Sequence, residues 1–434
     1  MSAVPDDTAT YIVRGGNPIS GVLKPGGNKN AALPMLAATL LGGRVSLENV
    51  PDIRDVSAML ELLSTLGATV TKEGPGHWSI DSSTVSTQTL TSKLAGDIRA
   101  SFLLAGPLLG RWGRAVLPRP GGDRIGRRPL DTHLHALIEL GAEIDVQPDS
   151  YQLKAPRGLR GADIFLHEMS VMGTENAVMA AALATGVTTI HNAASEPHVQ
   201  ELCRLIEAMG CPILGIGTNV LEITGQKDLG QAAAIIGPDP IEVGSFIGLA
   251  AVTGGHLRIT GARPHQHHRM TRIGFGRLGI TWDDDGDDII VPAGQSLEIS
   301  EDLTGGIPKI DDGPWPAFPP DLTSIAVVLA TQARGTILIH EKMFESRLFW
   351  VDRLISMGAR IVLCDPHRAV IVGPAQLHGQ NLASPDIRAG MALVIAALCA
   401  EGESVIHNIK QVERGYQNLH QRLRSLGAEV ERRT

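Results

Sequence analysis

A loop rich in glycine and proline, residues 117–133, holds the densest group of side chains that could do chemistry. Its sequence, Leu-Pro-Arg-Pro-Gly-Gly-Asp-Arg-Ile-Gly-Arg-Arg-Pro-Leu-Asp-Thr-His, excludes a plain helix or strand because glycines and prolines interrupt it. One early carboxylate, Asp123, is accompanied by four arginines: Arg119, Arg124, Arg127 and Arg128. Guanidinium groups pair bidentately with phosphate or carboxylate. The loop therefore indicates a site for an anionic ligand, with a solvated basic loop as the alternative interpretation.

Charged residues also stand at the predicted starts of six apolar helices. They are Lys29-Asn30, Arg99, Glu175-Asn176, Glu242, Asp321 and Arg388. A helix N-terminus attracts anions through its free N–H groups and the positive end of its dipole. We therefore predict that Lys29, Arg99 and Arg388 bind an anionic ligand, while the acidic residues cap their helices. For Asp321 a chemical role is the alternative, because the rigid stretch Trp315-Pro-Ala-Phe-Pro-Pro320 leads into it.

The elements that position these residues belong to a sixfold internal repeat. A helix tail ending in Leu-Gly or Met-Gly recurs at spacings of 69 to 79 residues. Its glycines are Gly67, Gly141, Gly210, Gly279, Gly358 and Gly427. We predict that each glycine follows a helix in the left-handed conformation and that a strand comes next. The clearest hairpin after such a glycine joins Ile361–Leu363 to Val370–Val372.

Each repeat begins with an apolar helix and continues with a short strand and a second helix. The predicted first helices are Ala31–Leu41, Ser101–Leu109, Ala177–Ala184, Phe246–Val252, Ser324–Ala333 and Met391–Ala400. The predicted strands are Arg44–Val50, Arg114–Pro118, Thr188–Asn192, His256–Thr260, Thr336–His340 and Ser404–Asn408. Because the first helices are apolar nearly all round, we predict two buried bundles of three, wrapped by outer helices and sheets. The fold class is therefore α/β, in two domains.

The chain ends indicate how the repeats divide into domains. The sixth repeat stops without a return strand, and residues 11–16, Tyr-Ile-Val-Arg-Gly-Gly, match the strand it lacks. The breaker run Gly237-Pro238-Asp239-Pro240 separates the third repeat from the fourth. We predict a first domain at 29–237, which carries the arginine-rich loop, and a second at 1–28 plus 238–434. Two linkers at one junction would form a hinge.

Loops that differ between repeats favour a chemical role. Where the second repeat has residues 117–133, the fifth has Lys342-Met-Phe-Glu-Ser-Arg347 and the sixth has Gln411-Val-Glu-Arg-Gly-Tyr416. If these ends face a cleft between the domains, the cations that converge there are Lys29, Arg99, Arg128, Arg388 and Arg414. On a chain of net charge −8, such a cluster predicts a small polyanionic substrate.

Composition excludes several classes of protein. The net negative charge and an aromatic content of 3% disfavour nucleic-acid binding. No long apolar run or N-terminal signal is found, so we expect no membrane span and a cytoplasmic location. The cysteines form no Cys-x-x-Cys pair and are predicted to be buried free thiols in a reducing compartment: Cys203, Cys211, Cys364 and Cys399.

Three further motifs are predicted to be structural. Gly274-Phe-Gly-Arg-Leu-Gly279 matches a dinucleotide-binding pattern but ends a helix instead of opening one after a strand. His265, His267 and His268 lie in a polar loop without a partner cluster, so we predict a solvated helix start and no metal site. Asp283-Asp-Asp-Gly-Asp-Asp288 lacks the spacing of a calcium loop and is predicted to be a hairpin turn.

The residues named so far resemble the enolpyruvyltransferase family over essentially the whole chain. The most specific matches are Gly27-Asn-Lys-Asn-Ala-Ala-Leu-Pro34, Ile98-Arg-Ala-Ser101, residues 120–131, Pro316-Ala-Phe-Pro-Pro-Asp321, Met343-Phe-Glu-Ser-Arg347, Asp386-Ile-Arg388 and Glu413-Arg-Gly-Tyr416. The resemblance implies two inside-out α/β barrel domains of three repeats each, with the active site in the cleft between them. It implies transfer of the enolpyruvyl group of phosphoenolpyruvate to the 3-hydroxyl of UDP-N-acetylglucosamine, with release of phosphate and without a metal or organic cofactor.

The resemblance also assigns roles. Lys29, Arg128 and Arg414 would hold the donor phosphate, and Arg388 the donor carboxylate. Arg99 would line the same cleft, Asn30 would contact the acceptor sugar, and Asp321 would take the proton of the acceptor hydroxyl. The residues that would flank the uridine and diphosphate are Pro129, Leu130, Asp131 and Phe344. Residues 119–128 would form a lid that excludes water.

One position departs from the family pattern, because many members have cysteine where this chain has Asp123. A carboxyl group can replace a thiol as proton donor, but it cannot form the thioether adduct with fosfomycin, so resistance to that drug is expected. An ordinary aspartate, with a pKa of about 3.9, is ionised at neutral pH. Either bound anionic substrates favour its protonation, or the lid arginines point away from it, or it positions a different donor.

Two other functions stay open from the sequence. The first is enolpyruvyl transfer to another acceptor, either shikimate 3-phosphate or another nucleotide. The second is a catalytically silent repeat protein that binds a nucleotide-sugar. Binding alone would use some of the same cations, so only measured turnover separates the two classes of protein.

Overall fold

The computed structural model describes residues 9–91, 93–122, 125–263 and 267–433. This part of the chain divides into two compact units. Unit A comprises residues 27–122 and 128–237, and unit B comprises residues 9–26, 125–127 and 238–433. Both units mix helices with sheets, so the predicted α/β fold in two parts is confirmed.

Three buried helices form the core of each unit. In unit A these inner helices are Lys29–Ala38, Ala105–Trp112 with the preceding 3-10 helix Arg99–Leu104, and Val171–Ala181. In unit B they are Pro240–Val252, Thr323–Gln332 and Ile387–Cys399. Within each unit they pack against one another, and nearly all of their side chains are buried. An apolar surface on every side of a helix has to be covered, which explains the two bundles of three.

Several inner helices begin earlier than hydrophobicity alone predicts. The third, fourth and sixth start at Val171, Pro240 and Ile387 instead of Ala177, Phe246 and Met391. Their caps are Ser170, Asp239 and Asp386, whose side chains accept hydrogen bonds from backbone N–H groups of the first turn. Glu175 and Glu242 therefore lie inside their helices, and the prediction that these acidic residues act as caps is wrong.

A second set of helices covers the inner bundles. The second helices of the repeats are Arg54–Thr65, Asp131–Glu139, Pro197–Ala208, Arg269–Gly276, Val351–Ser356 and Leu419–Ser425, and Lys93–Asp97 and Lys410–Glu413 are further short helices. In the first of them the predicted apolar stripe, Val56, Met59, Leu60, Leu63 and Leu66, is buried. The helical spacing of these residues was therefore a correct indication of which face turns inward.

Each unit also contains three sheets among the described residues. In unit A the strands, in spatial order, are Ala232–Ile235, Arg44–Glu48, His77–Asp81 and Thr69–Gly74; Arg114–Pro118, Ser150–Lys154 and Glu143–Val146; and Ile213–Leu214, Val220–Thr224, Val187–His191 and Asp163–Phe165. In unit B they are Asp283–Asp285, Asp288–Val291, Leu257–Ile259 and Gly21–Leu23; Lys309–Asp311, Gly335–His340, Arg368–Gly373 and Arg360–Asp365; and Asn381–Ala383, Glu403–His407, Thr10–Arg14 and Glu429–Arg433. The hairpin predicted after Gly358 is thus confirmed.

The six repeat glycines all adopt the backbone conformation that the sequence predicts. Gly67, Gly141, Gly210, Gly279, Gly358 and Gly427 have φ values between +77° and +107°. Each follows a second helix, and a strand begins two to four residues later. Only glycine takes this conformation without the steric cost of a Cβ atom, which explains the recurrence of this residue.

The N-terminal strand completes the sheet of the sixth repeat, as predicted. Thr10–Arg14 lies between Glu403–His407 and Glu429–Arg433 and pairs antiparallel with both. In the fifth repeat, Arg368–Gly373 has the same place between its two neighbours. A sheet missing this middle strand would leave two rows of backbone groups unpaired, so Thr10–Arg14 stabilises the last repeat.

The fold bears on several other expectations. Gly274 lies at the end of helix Arg269–Gly276, and Asp283–Asp285 pairs with Asp288–Val291 as the predicted hairpin. The expectation of a solvated start at His268 is wrong, because its ring is buried and burial lowers its pKa to about 3. His265 lies outside the described residues. Cys203 and Cys211 are buried as predicted, whereas Cys399 is only half-buried and Cys364, on an edge strand, is exposed. No described helix is long and apolar enough to cross a membrane.

A recurring asparagine gives the first testable prediction. Asn192 follows a repeat strand with φ of 57°, and its Nδ2 donates to the carbonyl of Leu166 at 2.9 Å. Asn49 and Asn408 have the same conformation and make equivalent bonds. We expect Asn192→Ala to lower the free energy of unfolding by about 2 kcal/mol, because both the hydrogen bond and the tolerance of left-handed backbone are lost. Asn192→Gly keeps the tolerance and should cost about half as much in chemical denaturation; equal losses would contradict this account.

Candidate functional site

The first inner helix presents Lys29 at its start. Asn28 caps this helix by accepting the N–H of Asn30 at 2.9 Å. Lys29 Nζ lies 2.8 Å from Oδ2 of Asp55, and both side chains are largely buried. Asp55 stands in the first turn of the helix Arg54–Thr65, where acidic residues are common, so the sequence carried no signal for this pairing. Asp55 fixes where the ammonium group points, and Asn30 lies half-buried beside it.

Two arginines lie close together in unit A. Arg99 begins the 3-10 helix Arg99–Leu104, and its Nη2 donates to the carbonyl of Pro129 at 3.2 Å. Burial and the positive charge of neighbouring Arg128 lower the pKa of Arg99 to about 10. Like charges held together in a partly desolvated place are stabilised by an anion, so this pair is suited to one. Leu130 is buried beside them, and Asp131 begins the helix Asp131–Glu139.

A buried histidine that the sequence did not single out supports this part of unit A. Asn176 Oδ1 accepts the N–H of Gly106 at 2.8 Å, and its Nδ2 donates to the carbonyl of Phe102 and to Nδ1 of His133, both at 2.9 Å. His133 must therefore carry its proton on Nε2. Burial, together with the charges of Arg99 and Arg128, lowers the pKa of His133 to about 3, so the ring is neutral.

In unit B, a carboxylate lies between two buried arginines. Asp321 stands in the 3-10 helix Pro320–Leu322, ahead of an inner helix. Its Oδ1 accepts from Arg347 Nη2 at 3.2 Å, and its Oδ2 accepts from Arg388 Nε at 3.1 Å and Nη2 at 2.9 Å. The carboxylate is 28% exposed, whereas both guanidinium groups are below 10%. Asp321 is therefore a fixed anion that remains accessible to a ligand, not a helix cap.

Arg388 is held by several partners in unit B. Asp386 caps its helix and accepts the N–H groups of Arg388 and Ala389. The guanidinium lies 5.6 Å from the centre of the Tyr416 ring. Burial alone would lower the pKa of Arg388, but the carboxylate of Asp321 and its other neighbours raise it above the ordinary value, so it stays a cation.

The remaining candidates of unit B are Phe344 and Arg414. Phe344 is half-buried, and the guanidinium of Arg347 lies 4.8 Å from the centre of the Phe344 ring. Arg414 Nη1 donates to Oε1 of Gln411 at 2.9 Å. Arg347 was not selected from the sequence as a site residue. Its place at the end of the loop 342–347 was the available signal.

The arginine-rich loop is described only in part. Asp123 and Arg124 lie outside the described residues. The loop was predicted to belong to the first domain, which corresponds to unit A, but residues 125–127 belong to unit B. Ser346 N–H donates to the carbonyl of Ile125 at 3.1 Å, and Arg127 N–H donates to Glu345 at 2.9 Å. Arg119 donates to the carbonyl of Gln147, and its guanidinium lies over the ring of Tyr151.

The described side chains can do two kinds of chemistry. In unit A, Lys29, Arg99 and Arg128 can hold phosphate or carboxylate oxygens. In unit B, Asp321 can accept a proton, while Arg388 can bind a further anionic group. Among the described residues, no three His, Cys, Asp or Glu side chains are grouped as metal ligands.

Comparisons with known proteins agree with this chemistry. A family model described as EPSP synthase (3-phosphoshikimate 1-carboxyvinyltransferase) matches residues 13–423. A protein of Treponema denticola named UDP-N-acetylglucosamine 1-carboxyvinyltransferase is 56% identical over 422 residues, which are 97% of this chain and 98% of the relative. A protein of Bradyrhizobium diazoefficiens with the same name is 55% identical over 97% of each chain.

Solved structures show the same fold. The enolpyruvyl transferase NikO from Streptomyces tendae matches with a TM-score of 0.86 and 24% identity, over 98% of this chain and 99% of that one. EPSP synthase from Acinetobacter baumannii matches with a TM-score of 0.75 and 16% identity, over 98% and 100%. At these identities the likeness shows the architecture and not the substrate.

Proposed function

Because the chain belongs to the EPSP synthase family of enolpyruvyltransferases, we propose that it transfers the enolpyruvyl group of phosphoenolpyruvate to the 3-hydroxyl of UDP-N-acetylglucosamine and releases phosphate. The observation that carries the proposal is the carboxylate of Asp321 held by two buried arginines, Arg347 and Arg388. A fixed, accessible carboxylate beside a cation is what deprotonation of a hydroxyl next to an anionic donor requires.

The reaction needs an acid and a base on opposite partners. The methylene carbon of phosphoenolpyruvate gains a proton, while the acceptor oxygen loses one and bonds to the carbon that carries the phosphate. The tetrahedral intermediate then loses phosphate together with a methyl proton. Fixed cations stabilise its charge. We assign the acceptor proton to Asp321, the donor phosphate to Lys29, Arg128 and Arg414, and the donor carboxylate to Arg388.

Further residues complete the assignment. Arg99 would contribute charge near Arg128, and Asn30 would contact the acceptor sugar. Pro129, Leu130, Asp131 and Phe344 would border the uridine and diphosphate. Asp123 would supply the proton to carbon, or position the donor of that proton, within a loop that excludes water during the reaction.

Measured phosphate release tests the proposal. The protein is mixed with phosphoenolpyruvate and UDP-N-acetylglucosamine, beside an Asp123→Asn variant. Release by the parent and a large loss in the variant would support both the reaction and the role of Asp123, whereas equal release would remove Asp123 as the acid. Release only with shikimate 3-phosphate or another nucleotide would overturn the acceptor. Tight nucleotide-sugar binding without release from any acceptor would favour the non-catalytic alternative.

The aspartate at position 123 also predicts a drug response. We expect fosfomycin to cause no time-dependent loss of activity, because a carboxylate cannot form the stable thioether that a thiolate forms with the epoxide. The Asp123→Cys variant should become inactivated by the same treatment. Residual activity is measured after free drug has been removed. Irreversible inactivation of the parent in this measurement would contradict the prediction.

The proposed reaction has a biological setting. It would open peptidoglycan-precursor synthesis in the cytoplasm and would therefore serve cell shape and division. The substrates are small molecules, and no nucleic-acid, membrane or cofactor partner is proposed.

A further inference from the structure

Two buried carboxyl groups lie behind Arg347, on the side away from Asp321. Glu341 follows the strand Gly335–His340, and Asp312 follows the neighbouring strand Lys309–Asp311. These strands run parallel with Asp311 opposite His340, so the next residue on each, Asp312 and Glu341, are also neighbours. Both side chains are buried, at 2% and 0% exposure.

Hydrogen bonds fix one oxygen of each carboxyl group. Glu341 Oε1 accepts the N–H groups of Met343 at 3.2 Å and Phe344 at 3.1 Å. Asp312 Oδ1 accepts the N–H of Lys342. The second oxygens, Oε2 of Glu341 and Oδ2 of Asp312, are buried and have no hydrogen-bond partner among the described residues. Two buried carboxylate oxygens beside each other that make no hydrogen bond are costly unless a proton lies between them.

The second oxygen of Glu341 also faces Arg347. Arg347 Nε lies 3.4 Å from Oε2 of Glu341, and Nη2 of the same guanidinium donates to Asp321. The guanidinium therefore has a buried acid at one end and the proposed base at the other. With one shared proton, the pair Asp312–Glu341 carries a single negative charge, which together with Asp321 balances the two cations Arg347 and Arg388.

We propose that Glu341 and Asp312 share one proton and act as positioning residues, holding Arg347 so that Asp321 keeps the orientation in which it takes a proton. This inference rests on the proposed function for its effect on the reaction, but the shared proton does not depend on it. Burial raises the pKa of Glu341 to about 9, with Asp312 adding to the rise and Arg347 opposing it.

The pair also predicts an alkaline limit to activity. The proton is held below pH of about 9 and lost above it, and the two carboxylates then repel each other beside Arg347. The other titratable groups near Glu341 are Lys342, adjacent in the chain, and His367, whose Nδ1 lies 2.7 Å from the Glu341 carbonyl. Neither contacts the two unpartnered oxygens in the described structure, so the limit is assigned to the pair.

Replacing the carboxyl group with an amide should have different effects on kcat at Asp312 and at Glu341. In Asp312→Asn, the amide oxygen keeps the Lys342 bond and the amide N–H takes the place of the shared proton, so we expect kcat within about threefold of the parent and an alkaline limit shifted upward or removed. In Glu341→Gln, an amide N–H would face Arg347 Nε, so we expect kcat to fall by about 30-fold with little change in KM.

Two controls make the outcome decisive. Asp311→Asn makes the same change one residue away, at a carboxylate that pairs with Lys309 and Lys342, and should leave the alkaline limit unchanged. Infrared difference spectra at pH 7 provide a readout besides activity. The carbonyl band of a protonated carboxyl should disappear in Asp312→Asn and persist in Asp311→Asn.

Each result has one meaning. If the parent releases no phosphate but the band is lost in Asp312→Asn, the proposed function fails and the shared proton stands. If the band is unaffected, or the alkaline limit of Asp312→Asn equals that of the parent, the inference fails even though the parent is active. Unfolding midpoints of all variants show whether a loss of kcat reflects loss of the fold.

Discussion

Replacing Asp321 with asparagine is expected to lower kcat for phosphate release by about 1000-fold, while KM for both substrates changes little. The amide keeps the shape of the side chain, and its oxygen can still accept a hydrogen bond from Arg388 or Arg347. What it cannot do is take a proton from the acceptor hydroxyl. Because deprotonation occurs only as the transition state forms, the loss should fall on kcat.

The comparison variant for this test is Asp311→Asn, which makes the same change at a carboxylate outside the site. Steady-state kinetics with phosphoenolpyruvate and UDP-N-acetylglucosamine should show near-parental kcat for it. If Asp321→Asn retained more than about a tenth of the parental kcat, Asp321 would not be the general base. A rise in KM alone would instead assign it to acceptor binding.

Replacing Lys29 with methionine is expected to lower kcat/KM for phosphoenolpyruvate by about 100-fold or more. The ammonium group stands at the start of an inner helix, where free N–H groups already favour an anion, and it is largely removed from water. Methionine keeps much of the length and volume of the side chain but removes the charge. The donor phosphate would then lose a cation in a place where electrostatic interactions are poorly screened by solvent.

Asp55→Asn separates the charge of Lys29 from its position. This variant leaves the ammonium group present but removes the ion pair of 2.8 Å that directs it. We expect a smaller loss, of about tenfold, in kcat/KM for phosphoenolpyruvate. The variant should also discriminate less between phosphoenolpyruvate and other anions. An unchanged kcat/KM in Lys29→Met, measured under conditions where phosphoenolpyruvate is limiting, would remove Lys29 from the donor site.

The architecture could be predicted because it depends on local and periodic signals. Gly67, Gly141 and the four other repeat glycines mark helix ends, since left-handed backbone is a property of single residues. The inner helices were evident from continuous apolar sequence, and the N-terminal strand from its likeness to the return strand of the fifth repeat. The starts of the inner helices were missed where polar side chains, such as those of Ser170 and Asp386, cap the first turn.

The sequence by itself thus determined the repeat, the α/β class, the family and the residue types needed for an anionic substrate. The tertiary structure alone decided which side chain holds which: Lys29 with Asp55, Asp321 with Arg347 and Arg388, and Glu341 beside Asp312. These partners lie 26 to 67 residues apart in the chain. No periodicity encodes such pairs, because they meet only where different helices and strands end side by side, and burial then decides which charges must be matched.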